Sequence, residues 1–338
     1  MPPGEPTTAP PGDLVVYASL SHAEQIVGYR LGSDGLLPRD PFTSVDLADK
    51  PRTMVLSDNF LYVLLDDRVI SFSIEPDGTL PSVPTSETAP LNDPGGVDML
   101  LQNDVLYVAF EDLNRVYAYR LVFGLLPSDP ISISGTSTSD YRSLVATNDF
   151  LYAASLGDAR VDTYRILSDG SLPPAPEAQE PDTNVFRPED MVIRGRTLYA
   201  ITQSRERIEA FDIQTNGLPD DDFDSRTNSE QRYARLLLDG DLLYASGLSL
   251  GRIDVYRINS DGSLSKDPPF GRTAKDTSAF PIGMALEVGI IYVAQSGLDR
   301  IDAYILNADG SPAAFPSSST DQISDSFPID VAVGSFPQ

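Results

Sequence analysis

Cysteine and tryptophan are both missing from these 338 residues, and histidine occurs once, as His22. Without cysteine there can be no disulfide, no thiolate metal site and no cysteine nucleophile. No apolar run approaches the ~18 residues of a transmembrane helix, so no membrane insertion is expected. Basic residues are scarce: 24 Lys and Arg face 50 Asp and Glu, for a formal net charge of −26. The lysines are Lys50, Lys266 and Lys275 alone. Such a chain repels phosphate backbones and anionic lipid, which excludes nucleic acid as a partner class. The same charge favours solubility and attracts cations and basic partners. The P-loop, G-x-G-x-x-G and H-E-x-x-H are absent, so no cofactor is expected.

What is present is an apolar fraction of 41%, ample for a core. The first 13 residues, MPPGEPTTAPPGD, have neither a basic start nor an apolar centre. They read as a flexible Pro-rich leader rather than a signal peptide, with residues 14–338 as one domain. A leader of this kind is what a removed signal leaves behind. The expected location is therefore periplasmic or extracellular, with the cytoplasm as the alternative.

A short motif recurs: VVYAS, LYVLL, LYVAF, LYAAS, LYAIT, LYASG, IYVAQ. Its tyrosines are Tyr17, Tyr62, Tyr107, Tyr152, Tyr199, Tyr244 and Tyr292, spaced by 45, 45, 45, 47, 45 and 48 residues. That period suits four short strands and their turns. Each copy has a second β-branched and aromatic run, such as IDVYRI, and then an Asp-Gly or Asn-Gly turn, as at Asp34-Gly35 and Asn216-Gly217. These dipeptides supply the positive φ of tight hairpins. Leu-Pro often follows, as at Leu37-Pro38 and Leu80-Pro81. Proline donates no hydrogen bond, so the outermost strand is expected there, at the sheet edge. The strand before each Tyr motif is apolar on both faces at its centre, as in Met54-Val55-Leu56 and Met191-Val192-Ile193, and is expected to be the buried, innermost one. The first copy lacks that strand, and Phe327–Val333 at the far end matches Phe280–Leu286. The expectation is an all-β, seven-bladed β-propeller with four antiparallel strands per blade. Its ring is closed by a C-terminal strand joining three N-terminal strands of blade one, which removes two open sheet edges.

In such a ring, the loops entering the inner strands surround one mouth of the central channel, the default place for a site. Nine residues before each motif tyrosine stand Thr53, Asp98, Ser143, Asp190, Arg235 and Gly283, with Asp330 seventh by alignment. One residue earlier come Arg52, Arg142 and Glu189, and two residues earlier Tyr141 and Tyr233. This ring suits a polar ligand, with a carboxylate as base and an arginine clamping an anion. The other reading is a network of ion pairs satisfying itself around a water-filled channel. His22 lies in a loop on the same face. Arginine recurs at the start of the third strand (Arg68, Arg115, Arg160, Arg207, Arg252, Arg300), often with a carboxylate two residues on, and repetition in nearly every blade marks it as scaffold. Gly247–Gly251 matches G-x-S-x-G but lies in a propeller loop rather than a strand–turn–helix elbow. Asp220–Asp224 is a dense acidic run that lacks the glycine and distal glutamate of an EF-hand; loose Ca²⁺ binding is the only metal expectation it raises.

The pattern LYVA…V-x-x-Y-x-I…DG-x-L-P, from Leu14 to Val333, resembles the lactonase-type seven-bladed propellers, which include 6-phosphogluconolactonase-like and YVTN-repeat proteins. The resemblance implies that fold. It also implies hydrolysis of a sugar lactone by polar residues at the channel mouth, where Arg52, Arg142, Glu189 and Asp190 stand as catalytic candidates and Asp98, Arg235, Tyr141, Tyr233, Asp330 and His22 as ligand-binding ones. Two functions stay open. The first is a non-catalytic binding propeller holding a protein partner or a small polyhydroxy ligand. The alternative is a lactone hydrolase. The near-uniform repeat favours the first.

Overall fold

A computed structural model describes residues 14–335 except 58, 93–94, 136–139, 178–186, 221–222, 229–231 and 266–267. The Pro-rich leader, residues 1–13, lies outside the described residues. The chain forms seven antiparallel sheets arranged as the blades of a propeller. Blade two shows the pattern: inner strand Thr53–Ser57, second strand Phe60–Leu64, third strand Val69–Ser73 and outer strand Ser86–Glu87. Six sheets have four strands, and blade four shows three among the described residues. Blade one is built as expected. Pro328–Ser335 pairs with Leu14–Leu20 in the register Val16↔Val333 and Ser19↔Asp330.

Two expectations need correction. The most buried strand of each blade is the second, not the inner: Leu14–Leu20 and Val105–Phe110 are buried at every residue. The inner strand is only partly buried, because one of its faces lines the channel; in blade two Met54 is buried while Val55 and Leu56 are half-buried. The outer strand begins several residues after Leu-Pro, at Thr43 and Ser86. In the Leu-Pro pair the leucine is the anchor: Leu37, Leu80, Leu126 and Leu172 are all buried.

The core is divided into seven clusters, each lying in a seam between blades. One seam packs Val15, Tyr17 and Val45 of blade one on Leu61, Val63 and Phe72 of blade two. The seams are also hydrogen-bonded. Every motif tyrosine donates its hydroxyl to the carbonyl of the turn glycine of the next blade. Tyr17 reaches Gly78, Tyr62 Gly124, Tyr107 Gly170, Tyr152 Gly217, Tyr199 Gly262 and Tyr244 Gly310, and Tyr292 closes the circle on Gly35 at 2.7 Å. The two most regular features of the repeat are therefore donor and acceptor of one bond. These glycines sit at φ between 75° and 88°, which only glycine adopts cheaply.

Candidate functional site

The inner strands carry a polar ring into the channel. A register irregularity marks a bulge in every inner strand but that of blade two: at Gly96/Asp98, Tyr141/Leu144, Pro188/Met191, Tyr233/Arg235 and Pro281/Met284, and beside Ser19. Bulges re-aim side chains, and in blades one, three and five the residue at the bulge is an aspartate. Asp330 of blade one accepts Thr53 Oγ1 and the Met54 amide of blade two, each at 2.8 Å. Asp98 of blade three accepts the Leu144 amide of blade four at 2.7 Å. Asp190 of blade five accepts Ser143 Oγ at 3.1 Å and the Leu236 amide of blade six at 2.6 Å. Odd-numbered blades thus present an acid, and each acid stitches its blade to the following one. Seven is odd, so this alternation cannot close. Blade seven would set a fourth acid beside Asp330 and has Gly283 instead. A Cβ there would lie 2.6 Å from the Asp330 Cα.

Three carboxylates and one guanidinium share this space. Arg235 stands 3.7 Å from Asp190 and also feels Asp98, Asp330 and Glu189. Burial pushes the Asp98 carboxyl up to about 7, with Arg235 opposing the rise and Asp190 adding to it. Burial likewise raises Asp190 and Asp330, against their hydrogen bonds and Arg235. Desolvation disfavours the charged form of an acid, so each stitch is held at a cost that the amide donors offset only in part.

One level above the ring, at the mouth, stand Arg52, Arg142 and Glu189. Arg52 pairs with Asp66 at 2.6 Å. Arg142 grips Glu111 of blade three with two bonds, at 2.7 and 2.6 Å, and reaches Asp140 at 3.2 Å. Its Nε is buried and has no hydrogen-bond partner among the described residues, and the same holds for Oε2 of Glu189. The bond between Ser143 and Asp190, the residues that follow them, sets Arg142 and Glu189 at one height on neighbouring inner strands. Glu111 was not singled out in the sequence. Its only signal is an acid four residues after the motif tyrosine, a position where Asp66 of blade two is the one other carboxylate.

The remaining candidates sit elsewhere. Tyr141 and Tyr233 are fully buried inside blades four and six. Each bonds an aspartate and a second tyrosine of its own blade: Tyr141 meets Asp162 at 2.7 Å and Tyr164 at 2.5 Å, and Tyr233 meets Asp254 at 2.9 Å and Tyr256 at 2.6 Å. A ligand at the mouth cannot touch them. His22 is half-exposed on the expected face, 3.5 Å from Asp325 and stacked on Phe327 at 4.7 Å. It belongs to blade one, away from Arg142 and Glu189 on blades four and five.

The repeated arginines are scaffold. Arg160, Arg252 and Arg300 bind Asp162, Asp254 and Asp302, and Arg207 binds Glu209, all four acids being buried. In six blades the residue before this arginine position is left-handed, from Glu24 to Asp299, and Gly251 is the glycine among them. A Cβ on Gly251 would fall 1.6 Å from the Asp276 carbonyl. The last glycine of G-x-S-x-G is therefore a turn requirement, and Ser249 Oγ accepts the Arg232 amide at 2.9 Å. Of the acidic run, Asp221 and Asp222 lie outside the described residues, while Asp224 accepts the Asp212 amide at 2.7 Å. Among the described residues no cluster of three or more His, Cys, Asp or Glu could hold a metal ion.

No family model matches the sequence, and no curated protein does. Solved structures do. A candidate 6-phosphogluconolactonase of Bacteroides fragilis superposes with a TM-score of 0.76 at 14% identity, covering 98% of this chain and 100% of the other. The periplasmic gluconolactonase of Pseudomonas aeruginosa gives 0.74 at 16%, covering 96% and 100%. A candidate 6-phosphogluconolactonase of Bacteroides uniformis gives 0.76 at 15%, again covering 96% and 100%. At such identities the likeness is one of fold, and the fold is that of the lactonase-type propellers.

Proposed function

We propose that this protein hydrolyses a lactone at the channel mouth, between blades four and five. The observation that carries the reading is Oε2 of Glu189, which has no hydrogen-bond partner among the described residues while the aspartates around it are engaged. A base must be within reach of the proton it takes and have no stronger bond to give up. Glu189 takes a proton from water as that water adds to the lactone carbonyl. Arg142 Nε and Arg235 face the oxyanion that forms. The ring C–O bond then breaks, and the leaving alkoxide recovers the proton from Glu189. The product is a hydroxy acid. The named activities of the neighbouring propellers support lactones as the substrate class. A periplasmic location is the companion proposal, on the strength of one neighbour.

The test is a panel of aldonolactones followed by pH-stat. Wild type should open at least one of them, and Glu189→Gln should lower kcat by about 10²–10⁴, the usual worth of a general base, with the fold intact. A binding propeller without turnover is the second reading. It is favoured by the pairing of both mouth arginines, Arg52 and Arg142, with carboxylates. Background rates for every lactone would discard hydrolysis in favour of binding.

A further inference from the structure

Blades four and six each contain a buried tyrosine at the start of the inner strand, and blade seven does not. Tyr141 faces Ser155 across the pair of strands, Tyr233 faces Gly247, and in blade seven Pro281 faces Gln295. In blades four and six that phenol joins the third-strand tyrosine to its aspartate. In blade seven the same pair, Tyr304 and Asp302, has lost its phenol. Gln295 reaches in as a partial replacement and donates Nε2 to the Tyr304 hydroxyl at 3.2 Å. Gln295 is 3% exposed, and its Oε1 has no hydrogen-bond partner among the described residues. An amide can be turned end for end, but either way one polar end is left over.

Against this amide lies a cavity of about 250 Å³ in the seam between blades six and seven, outboard of the inner strands. Its lining is part apolar (Ala279, Leu298, Phe315) and part polar: Gln295 and Tyr304, with the charged groups of Arg300, Asp302, Asp276 and Lys275 around them. Phe315, 72% exposed, stands at the rim of this cavity. A cavity of about 150 Å³ suffices for a benzene ring. A buried amide without a partner costs free energy that a hydroxyl, both donor and acceptor, would recover.

We infer that this seam is a binding site for a small monocyclic phenol, whose hydroxyl takes the place that Tyr141 and Tyr233 fill in their own blades. The ring lies between Ala279, Leu298 and Phe315, and the hydroxyl meets Gln295 and Tyr304. The site is separate from the channel mouth and does not depend on lactone chemistry.

Saturation-transfer NMR with 4-methylphenol, toluene and glycerol tests it on the intact protein. The expected result is transfer to 4-methylphenol with millimolar or better affinity, at least ~10-fold weaker binding of toluene, and none of glycerol. The double substitution Pro281→Tyr with Gln295→Gly copies blade six into blade seven. It should fill the seam and abolish the signal while cooperative melting is retained. If that variant does not fold, Gln295→Leu serves instead: it keeps the seam packed, removes the polar partner and should weaken 4-methylphenol at least ~10-fold. No transfer to 4-methylphenol in wild type means that the cavity takes only water, and the inference fails. It fails equally if toluene binds as well as 4-methylphenol, or if the folded variants bind as wild type does.

Discussion

Asp330 lies near the C-terminal end and is bonded to blade two, so its removal tests both the stitching and the closure of the ring. Its carboxylate accepts three hydrogen bonds, from Thr53 Oγ1 and the Met54 amide at 2.8 Å and from the Val331 amide at 2.9 Å. Asp330→Ala leaves the Thr53 hydroxyl free to turn, but the Met54 amide cannot move. An amide deprived of a charged acceptor costs about 1.5–3 kcal/mol. Channel water recovers part of this, and the raised carboxyl pKa shows that the native ion is itself imperfectly compensated. The net expectation is a loss of about 2 kcal/mol in urea unfolding, with an unchanged m-value because the surface exposed is the same. Asp330→Asn keeps one carbonyl acceptor for Met54 and should recover about half of the loss. Asp190→Ala should cost more than Asp330→Ala, because it also leaves Arg235 without its nearest acid. The reasoning is refuted if Asp330→Ala unfolds within ~0.5 kcal/mol of wild type, or if the asparagine variant is no better than the alanine one.

The pH dependence of stability follows from Asp98. Its carboxyl titrates near 7 in the fold, against an ordinary value near 4, so its contribution is fully present below pH ~4 and is lost as pH rises through 7. A three-unit shift sets a ceiling of ~4 kcal/mol at 1.36 per unit; Asp98 is half-buried beside channel water, and about 2 is expected. Asp98→Asn keeps an acceptor for Leu144 and cannot ionise, so its stability relative to wild type should improve by about that much between pH 4.5 and 8. A gap that stays constant with pH would contradict the assignment. Tyr292→Phe removes the bond to Gly35 and should cost ~1 kcal/mol; Tyr152→Phe should cost the same, because in a closed ring no seam is special. A loss at Tyr292 that clearly exceeds the one at Tyr152 would argue against closure.

Seven copies, the Asp-Gly turns and the borrowed C-terminal strand were all legible in the sequence, because each is a local pattern or a match between copies. The bonds between copies were not. Tyr17 and Gly78 are 61 residues apart, and aligning the repeats stacks each tyrosine on its own blade's glycine rather than on its partner. Tyr141 and Tyr233 were misread for a related reason. A residue found in only two copies looks specific, yet each is held by a tyrosine 23 residues later in its own blade. Leu-Pro was placed in the outer strand because a proline without a donor suits an edge and a loop equally. The burial of the leucine beside it decides for the loop. Apolar triplets such as Met54-Val55-Leu56 suggested burial on both faces. Only Met54 is buried; Val55 and Leu56 are half-buried because a channel of fixed bore must be lined by something, and the inner strands line it.

The odd number of blades is what gives a site its chance. In an even ring, acid and donor could alternate without a break, and every mouth position would be repaid by its neighbour. Here Asp330, Asp98 and Asp190 take blades one, three and five, with hydroxyl or amide donors after each. Blade seven must decline the acid, which is why Gly283 lies against Asp330. The charge left unbalanced collects on the opposite side of the ring. Blade six supplies Arg235 in place of the Thr53 and Ser143 hydroxyls, and it faces four acids rather than one. Glu189 and Arg142 stand beside it, each with a polar atom that no neighbour among the described residues satisfies. A scaffold that repeats itself hides its function, and the seams where its rule fails are the places to look. By that rule the proposed hydrolytic site falls in blades four to six, and the proposed phenol site in the seam between blades six and seven, where the buried phenol is missing.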